Sequence, residues 1–203
     1  MIGISKLYLG QVEVSDPLRY GRRSARLPSH LLQFSEDKKP VVVWNVTSRC
    51  NLACTHCYAT ASPAGDELST DEALRVIDDL AAFGCPVLLF SGGEPFARPD
   101  ILALARHAAA RGLRVVFSTN GTLIDAALAA EIKAVGVSYA GISLDGMEAV
   151  HDRFRACPGA FRQTLAGIRH CREAGVKVGL RVTMTRDNVG EIPALFDLLE
   201  AER

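Results

Sequence analysis

The sequence predicts an α/β fold of parallel strands, and three observations carry that expectation. From Val41 onward one unit recurs: a β-branched or aliphatic run, a polar or glycine-rich loop, then a helical pattern ending in glycine. Five such units are visible, and units of this length force parallel strands joined by right-handed crossovers. A closed eight-unit barrel usually needs roughly 250 residues, more than the 203 present. A partial barrel, an open sheet or a piece of a longer protein remain. The final helix, ending at Leu199-Glu200-Ala201-Glu202-Arg203 with nothing following to cover its apolar face, favours the piece.

Residues 1–40 are expected to form an extension, because Gly10, Pro17, Gly21, Pro28 and Pro40 interrupt any long periodicity. Its basic cluster, Arg19-Tyr20-Gly21-Arg22-Arg23, is either a solvated face or an arm that binds carboxylates. Residues 41–203 form the core. Its strands are expected at Val41 to Val46, Val87 to Phe90, Leu113 to Phe117, Val137 to Leu144 and Val176 to Thr183. Ser69-Thr70-Asp71-Glu72 is a capping box opening a helix whose face is Ala73, Val76, Ile77, Leu80 and Phe83. Pro99 suits a first helical turn, followed by Ile101, Leu104, Ala105 and Ala108 at helical spacing. Ile124 to Val135, Phe161 to Ala174 and Ile192 to Glu202 complete the series.

Composition narrows the function classes. Hydrophobic residues at 48% and charged residues at 23% suit a globular domain, and 23 basic side chains balance 23 acidic ones, so no global field recruits nucleic acid or a membrane surface. The N-terminus lacks a secretory pattern and no run of apolar residues is long enough to span a bilayer, which predicts a cytoplasmic protein. Thiols stay reduced there, so the six cysteines argue for ligation or reactivity instead of disulfides.

Three of those cysteines sit in Cys50-Asn51-Leu52-Ala53-Cys54-Thr55-His56-Cys57, directly after the first strand. The spacing Cys-x3-Cys-x2-Cys supplies three thiolates and no local fourth, which suits a four-iron cluster with one iron open to a small molecule. Other motifs fall at later strand ends: Ser91-Gly92-Gly93-Glu94-Pro95, Ser118-Thr119-Asn120-Gly121, Ser143-Leu144-Asp145-Gly146, and Arg181 with Thr183. Parallel α/β architectures place their working sites at those ends.

Together these residues resemble the radical S-adenosylmethionine (SAM) enzymes, whose shared signature is the Cys-x3-Cys-x2-Cys loop with Gly-Gly-Glu-Pro on the next strand. The resemblance covers residues 41–203 and implies a partial parallel (β/α) barrel of the radical SAM type, with five of its six βα units present. It implies that Cys50, Cys54 and Cys57 hold three irons of a four-iron four-sulfur cluster and that SAM chelates the fourth. One-electron reduction of SAM then yields a 5′-deoxyadenosyl radical, able to break an unactivated C–H bond. Gly92 and Gly93 let backbone approach the ligand, and Glu94 can accept from its ammonium. Ser143 and Asp145 are placed for the ribose or the methionine carboxylate, although Asp-Gly is also ordinary turn chemistry. His56 either stacks on the adenine or ligates metal. Arg155 and Arg181 are both candidates for the SAM carboxylate, because a bidentate fork fits that group. Cys85 and Cys171 read as buried apolar residues, whereas Cys157 is open to a substrate role.

The N-terminal segments, including Leu18-Arg19-Tyr20-Gly21-Arg22 and Leu27-Pro28-Ser29-His30-Leu31-Leu32, resemble the sirohaem-processing branch of that family. The branch implies a tetrapyrrole substrate, with acetate side chains removed from didecarboxysirohaem to give iron-coproporphyrin III in haem biosynthesis, and an electron donor such as flavodoxin or ferredoxin. It would give Arg19, Arg22 and Arg23 a carboxylate-binding task. Its members usually continue into a region with an auxiliary cluster. Alternatives are a dioxo-haem biosynthesis relative, a peptide-modifying radical SAM enzyme, and a structural zinc module using Cys50, Cys54, Cys57 and His56.

Overall fold

The structure is a computed structural model that describes residues 39–57 and 67–202. Arg19, Arg22 and Arg23 lie outside the described residues, as does the rest of the expected extension before Lys39. Five parallel strands make one sheet in unbroken sequential order. They are β1 (Val42–Asn45), β2 (Val87–Ser91), β3 (Arg114–Thr119), β4 (Tyr139–Ser143) and β5 (Val178–Arg181). Sequential order is that of a barrel wall; a doubly wound sheet reverses its order at a switch point. The expected partial barrel is therefore the form adopted.

Register divides the side chains between two faces. Trp44, Phe90, Phe117, Ala140 and Val178 form one row across all five strands and pack into the main apolar core beneath the helices. The adjacent row, Asn45, Ser91, Ser118, Gly141 and Gly179, points to the opposite, open face. This second row is polar or side-chain-free, and it borders the strand ends where the site lies.

Six α-helices are described: α1 (Thr70–Phe83), α2 (Ile101–Ala110), α3 (Ala126–Ala134), α4 (Glu148–Arg155), α5 (Ala160–Glu173) and α6 (Ile192–Ala201). The capping box on α1 forms as expected, with the Glu72 amide donating to Ser69 Oγ and the Ser69 amide to Glu72. Ala73 and Ile77 are buried, but Phe83 is 51% exposed, since it sits at the helix end beyond the sheet-facing stripe. Pro99 precedes α2, whose first turn starts at Ile101, with Asp100 bound instead to Arg98 and Thr70.

Helix α4 has no counterpart in the sequence reading. Glu148-Ala149-Val150-His151-Asp152-Arg153-Phe154-Arg155 lacks an apolar stripe, because two of the three residues it buries are His151 and Arg155. Its Asp152 carboxylate accepts from the amides of Gly159 (2.6 Å) and Phe161 (2.8 Å), capping the start of α5 with negative charge.

Candidate active site

The cysteine loop follows β1 and is fixed from three sides. Arg98, 4% exposed, donates to the Val46 carbonyl (2.9 Å) and the Leu68 carbonyl (2.9 Å) while Asp100 balances its charge at 2.7 Å. Glu67 accepts from Thr47 Oγ1 at 2.5 Å. Asn51 joins the loop to the end of β3, donating to Thr122 Oγ1 (2.8 Å) and accepting from Asn120 Nδ2 (2.9 Å).

Gly92 and Gly93 serve the loop itself. The Gly93 amide donates to the Thr47 carbonyl and the Glu94 amide to the Arg49 carbonyl, both at 2.8 Å. A Cβ on Gly92 would come 2.4 Å from the Thr47 carbonyl oxygen, and one on Gly93 2.2 Å from that of Arg49. Both glycines therefore let β2 approach the backbone of the cysteine loop closely. Glu94 ties the same loop region to β3. It is fully buried, and its carboxylate accepts from Thr119 Oγ1 (2.7 Å), the Asn120 amide (2.8 Å) and the Phe96 amide (3.2 Å). Those donors satisfy it from within the protein, so it braces β2 against β3. Burial outweighs them and pushes its pKa up to about 7.

The three thiols differ in environment. Cys50 and Cys54 are half-buried and Cys57 is exposed. Burial raises the Cys50 pKa despite the Leu52 amide, which donates to its sulfur at 3.5 Å, and the negative charges of Glu94, Cys54 and Cys57 push the same way. A bound cation would favour the deprotonated form of these thiols, which is the form that ligates metal. Cys50, Cys54 and Cys57 on one loop, with no fourth thiol near them in sequence, fit the three-cysteine attachment of a four-iron cluster.

Above the loop, Asp145 organises a buried network. It is 0% exposed: Oδ1 accepts from the Thr183 amide (2.8 Å) and Oδ2 from Arg155 Nη2 (2.5 Å). Its amide donates to His151 Nδ1 (3.1 Å), and its carbonyl accepts from Asn188 Nδ2 (2.8 Å). Asp145 thus positions Arg155 from inside, with both carboxylate oxygens engaged by protein donors. Arg155 turns Nη1 toward Cys54 Sγ, 3.6 Å away, and its Nε has no partner among the described residues. His56 packs on Phe154 with ring centroids 5.1 Å apart, its Nε2 3.8 Å from Asp145 Oδ2 and its buried Nδ1 unpartnered. Burial lowers its pKa, as burial lowers that of His151 to about 4, so His151 accepts as a neutral ring.

Ser143 and Arg181 stand opposite each other at the ends of β4 and β5, on the open face. Arg181 lies across Gly141, and Tyr139 lies across Gly179. Cys85 is buried with its thiol 3.2 Å from the Val87 carbonyl oxygen, and Cys171 is buried with its pKa raised by desolvation to about 11, as expected of apolar roles. Cys157 is half-buried beyond α4. Sequence reasoning missed Asn51, Arg98, Asn120, His151 and Asn188. Only Asn120 carried a signal, as part of a polar run after a strand.

The profile of the Radical SAM superfamily matches residues 44–199. A Fe-coproporphyrin III synthase of Methanosarcina barkeri is 60% identical over 205 residues, covering 100% of this chain and 51% of that protein. A pre-heme d1 synthase of Dinoroseobacter shibae is 43% identical over 166 residues, covering 81% of this chain and 41% of its own length. This chain spans about half the length of these relatives. The structure of SuiB from Streptococcus suis bound to its precursor peptide SuiA superposes with TM-score 0.71 over 89% of this chain and 41% of that one, at 17% identity, a likeness of fold. The cysteine loop, its Gly-Gly-Glu brace, the sequential parallel sheet and these matches agree: the chain belongs to the radical SAM superfamily, whose members use a four-iron four-sulfur cluster and SAM.

Proposed function

We propose that this is a radical SAM enzyme of haem biosynthesis that removes acetate side chains from didecarboxysirohaem to give iron-coproporphyrin III. The observation that carries the reading is the identity to a Fe-coproporphyrin III synthase along the whole chain, well above that to the pre-heme d1 synthase. Cys50, Cys54 and Cys57 are the cluster ligands. When bound, the cluster and SAM supply a radical that can take a hydrogen atom from an unactivated carbon. Arg155 is the residue for the SAM carboxylate, because it alone of the two candidates lies against a ligand cysteine, with Asp145 holding its far edge. Ser143, at the rim of β4, is placed for the ribose, and the Phe154-backed ring of His56 offers a surface for the adenine. Glu94, Gly92 and Gly93 keep the loop rigid. An external one-electron donor such as flavodoxin or ferredoxin is required, consistent with a cytoplasmic setting. No helix among the described residues is long and apolar enough to cross a membrane.

The test is anaerobic incubation of the full-length protein with SAM, a reductant and didecarboxysirohaem, followed by mass spectrometry. Loss of two acetate groups is the expected result. Formation of 5′-deoxyadenosine only with a peptide, the tetrapyrrole untouched, would overturn the assignment.

A further inference from the structure

We propose that Arg181 and Tyr139 form a carboxylate-binding subsite on the open face of the sheet, and that its ligand is a side-chain carboxylate of the substrate and not the carboxylate of SAM. The assignment rests on the tetrapyrrole reading above. Its geometry begins with two glycines paired across strands, Gly141 on β4 and Gly179 on β5. A Cβ on Gly141 would lie 2.2 Å from Arg181 Nε and 3.1 Å from its Cζ. A Cβ on Gly179 would lie 2.2 Å from the Tyr139 hydroxyl. Each glycine leaves room for a long polar side chain from the neighbouring strand. Glycine weakens a strand interior and marks close approach of another group, and here that group is a functional side chain lying flat on the sheet.

The Arg181 guanidinium has only donors to offer. Among the described residues it has no hydrogen-bond or ion-pair partner, although the residue is partly buried. The strand residues of that face beside it, Leu89, Ser91, Val116, Ser118 and Ser143, carry no carboxylate, and the nearby Asp145 is already engaged by Arg155 and the Thr183 amide. A forked cation with a phenol hydroxyl on the same face and no carboxylate of its own matches one supplied by a ligand.

Depth separates that ligand from SAM. Arg155 stands at the level of the cysteine loop, 3.6 Å from Cys54 Sγ. Arg181 starts level with Ser143 but reaches back over Gly141, two residues farther down β4, and among the described residues it makes no hydrogen bond to a cysteine. One carboxylate at the cluster is served by Arg155, which leaves Arg181 for an acid group carried deeper along the open face. A porphyrin bearing propionate side chains has such groups.

The experiment compares the anaerobically reconstituted wild type with R181M, R181K and G141A, the last of which displaces the guanidinium without removing it. The probes are iron-coproporphyrin III and its tetramethyl ester, titrated by Soret absorbance, and SAM, measured by equilibrium dialysis. Wild type is expected to prefer the tetra-acid, while R181M and G141A bind it roughly ten- to a hundred-fold more weakly, approaching the ester, with SAM affinity unchanged and R181K intermediate. Circular dichroism confirms that each variant is folded; if R181M is not, G141A and R181K decide. Weaker SAM binding with porphyrin binding intact assigns Arg181 to SAM and overturns the proposal, as does unchanged affinity for both. A wild type that ignores both porphyrins refutes the tetrapyrrole reading, and the subsite with it; a porphyrin bound equally by wild type and variants refutes the subsite alone.

Discussion

Gly93 and Arg49 are in backbone contact, with room between them for a hydrogen atom but not for a methyl group: a Cβ at position 93 would lie 2.2 Å from the Arg49 carbonyl oxygen. Gly93→Ala therefore forces the cysteine loop off β2. The expected cost is about 1–3 kcal/mol of stability, typical of inserting a methyl into packed structure. Chemical iron and sulfide analysis after reconstitution should show cluster content falling with it. Full cluster loading in Gly93→Ala would show that the loop does not depend on this contact.

Glu94 should make stability depend on pH. Its folded pKa of about 7 lies above the unfolded value near 4.5, so between those values the native state binds more protons. Its contribution is fully present below pH 4.5 and is lost as pH rises through 7, a change of roughly 3 kcal/mol. Urea midpoints across this range should show that loss in wild type and not in Glu94→Gln. The amide in that variant turns a donor toward a backbone or hydroxyl donor, lowering stability by about 1–3 kcal/mol at acid pH.

These two positions show what a sequence reading can and cannot reach. Gly92, Gly93 and Glu94 were legible as a motif, but their contacts with Thr47, Arg49, Thr119 and Asn120 were not. Register and burial decide which neighbours a glycine or a carboxylate meets, and neither is written in spacing. The strands and five of the six helices followed from periodicity, because their buried faces are apolar. Helix α4 did not, since it buries His151 and Arg155 in exchange for hydrogen bonds with Asp145. Polar burial leaves no stripe to read. Asn51 and Arg98 were invisible for a related reason, as their partners, Thr122 and Asn120 for the first and the Val46 and Leu68 carbonyls for the second, are far away in sequence.

Asp145→Asn should separate the roles of Arg155. The variant leaves a buried guanidinium without its counter-charge, and breaking such a pair costs about 3–5 kcal/mol. SAM affinity should fall with it while iron content stays near wild type, because no cysteine is altered. Equilibrium dialysis with SAM, alongside iron analysis, checks both halves. A variant that binds SAM normally would remove Asp145 from the positioning of Arg155.

Cysteine substitutions should fall into two classes. Cys50→Ser, Cys54→Ser and Cys57→Ser are each expected to abolish most of the iron–thiolate absorbance near roughly 400 nm. Cys157→Ser should leave it intact, as this half-buried thiol lies beyond α4. Cys85→Ser and Cys171→Ser should lower thermal stability while keeping the spectrum, since both thiols are buried away from the loop. Ultraviolet–visible spectra of the six reconstituted variants decide the matter.

The wiring of Asp145 also dictates an order of assembly. Its carboxylate is held by an amide of the segment after β5 and by an arginine of α4, and its carbonyl by Asn188. During synthesis the cysteine loop leaves the ribosome long before Asn188, at about 5–20 residues per second. For those seconds its thiols exist without the braced arginine beside Cys54. Nascent chains stalled with Asn188 still inside the ribosome and with Asn188 well clear of it should therefore differ in how well they retain iron.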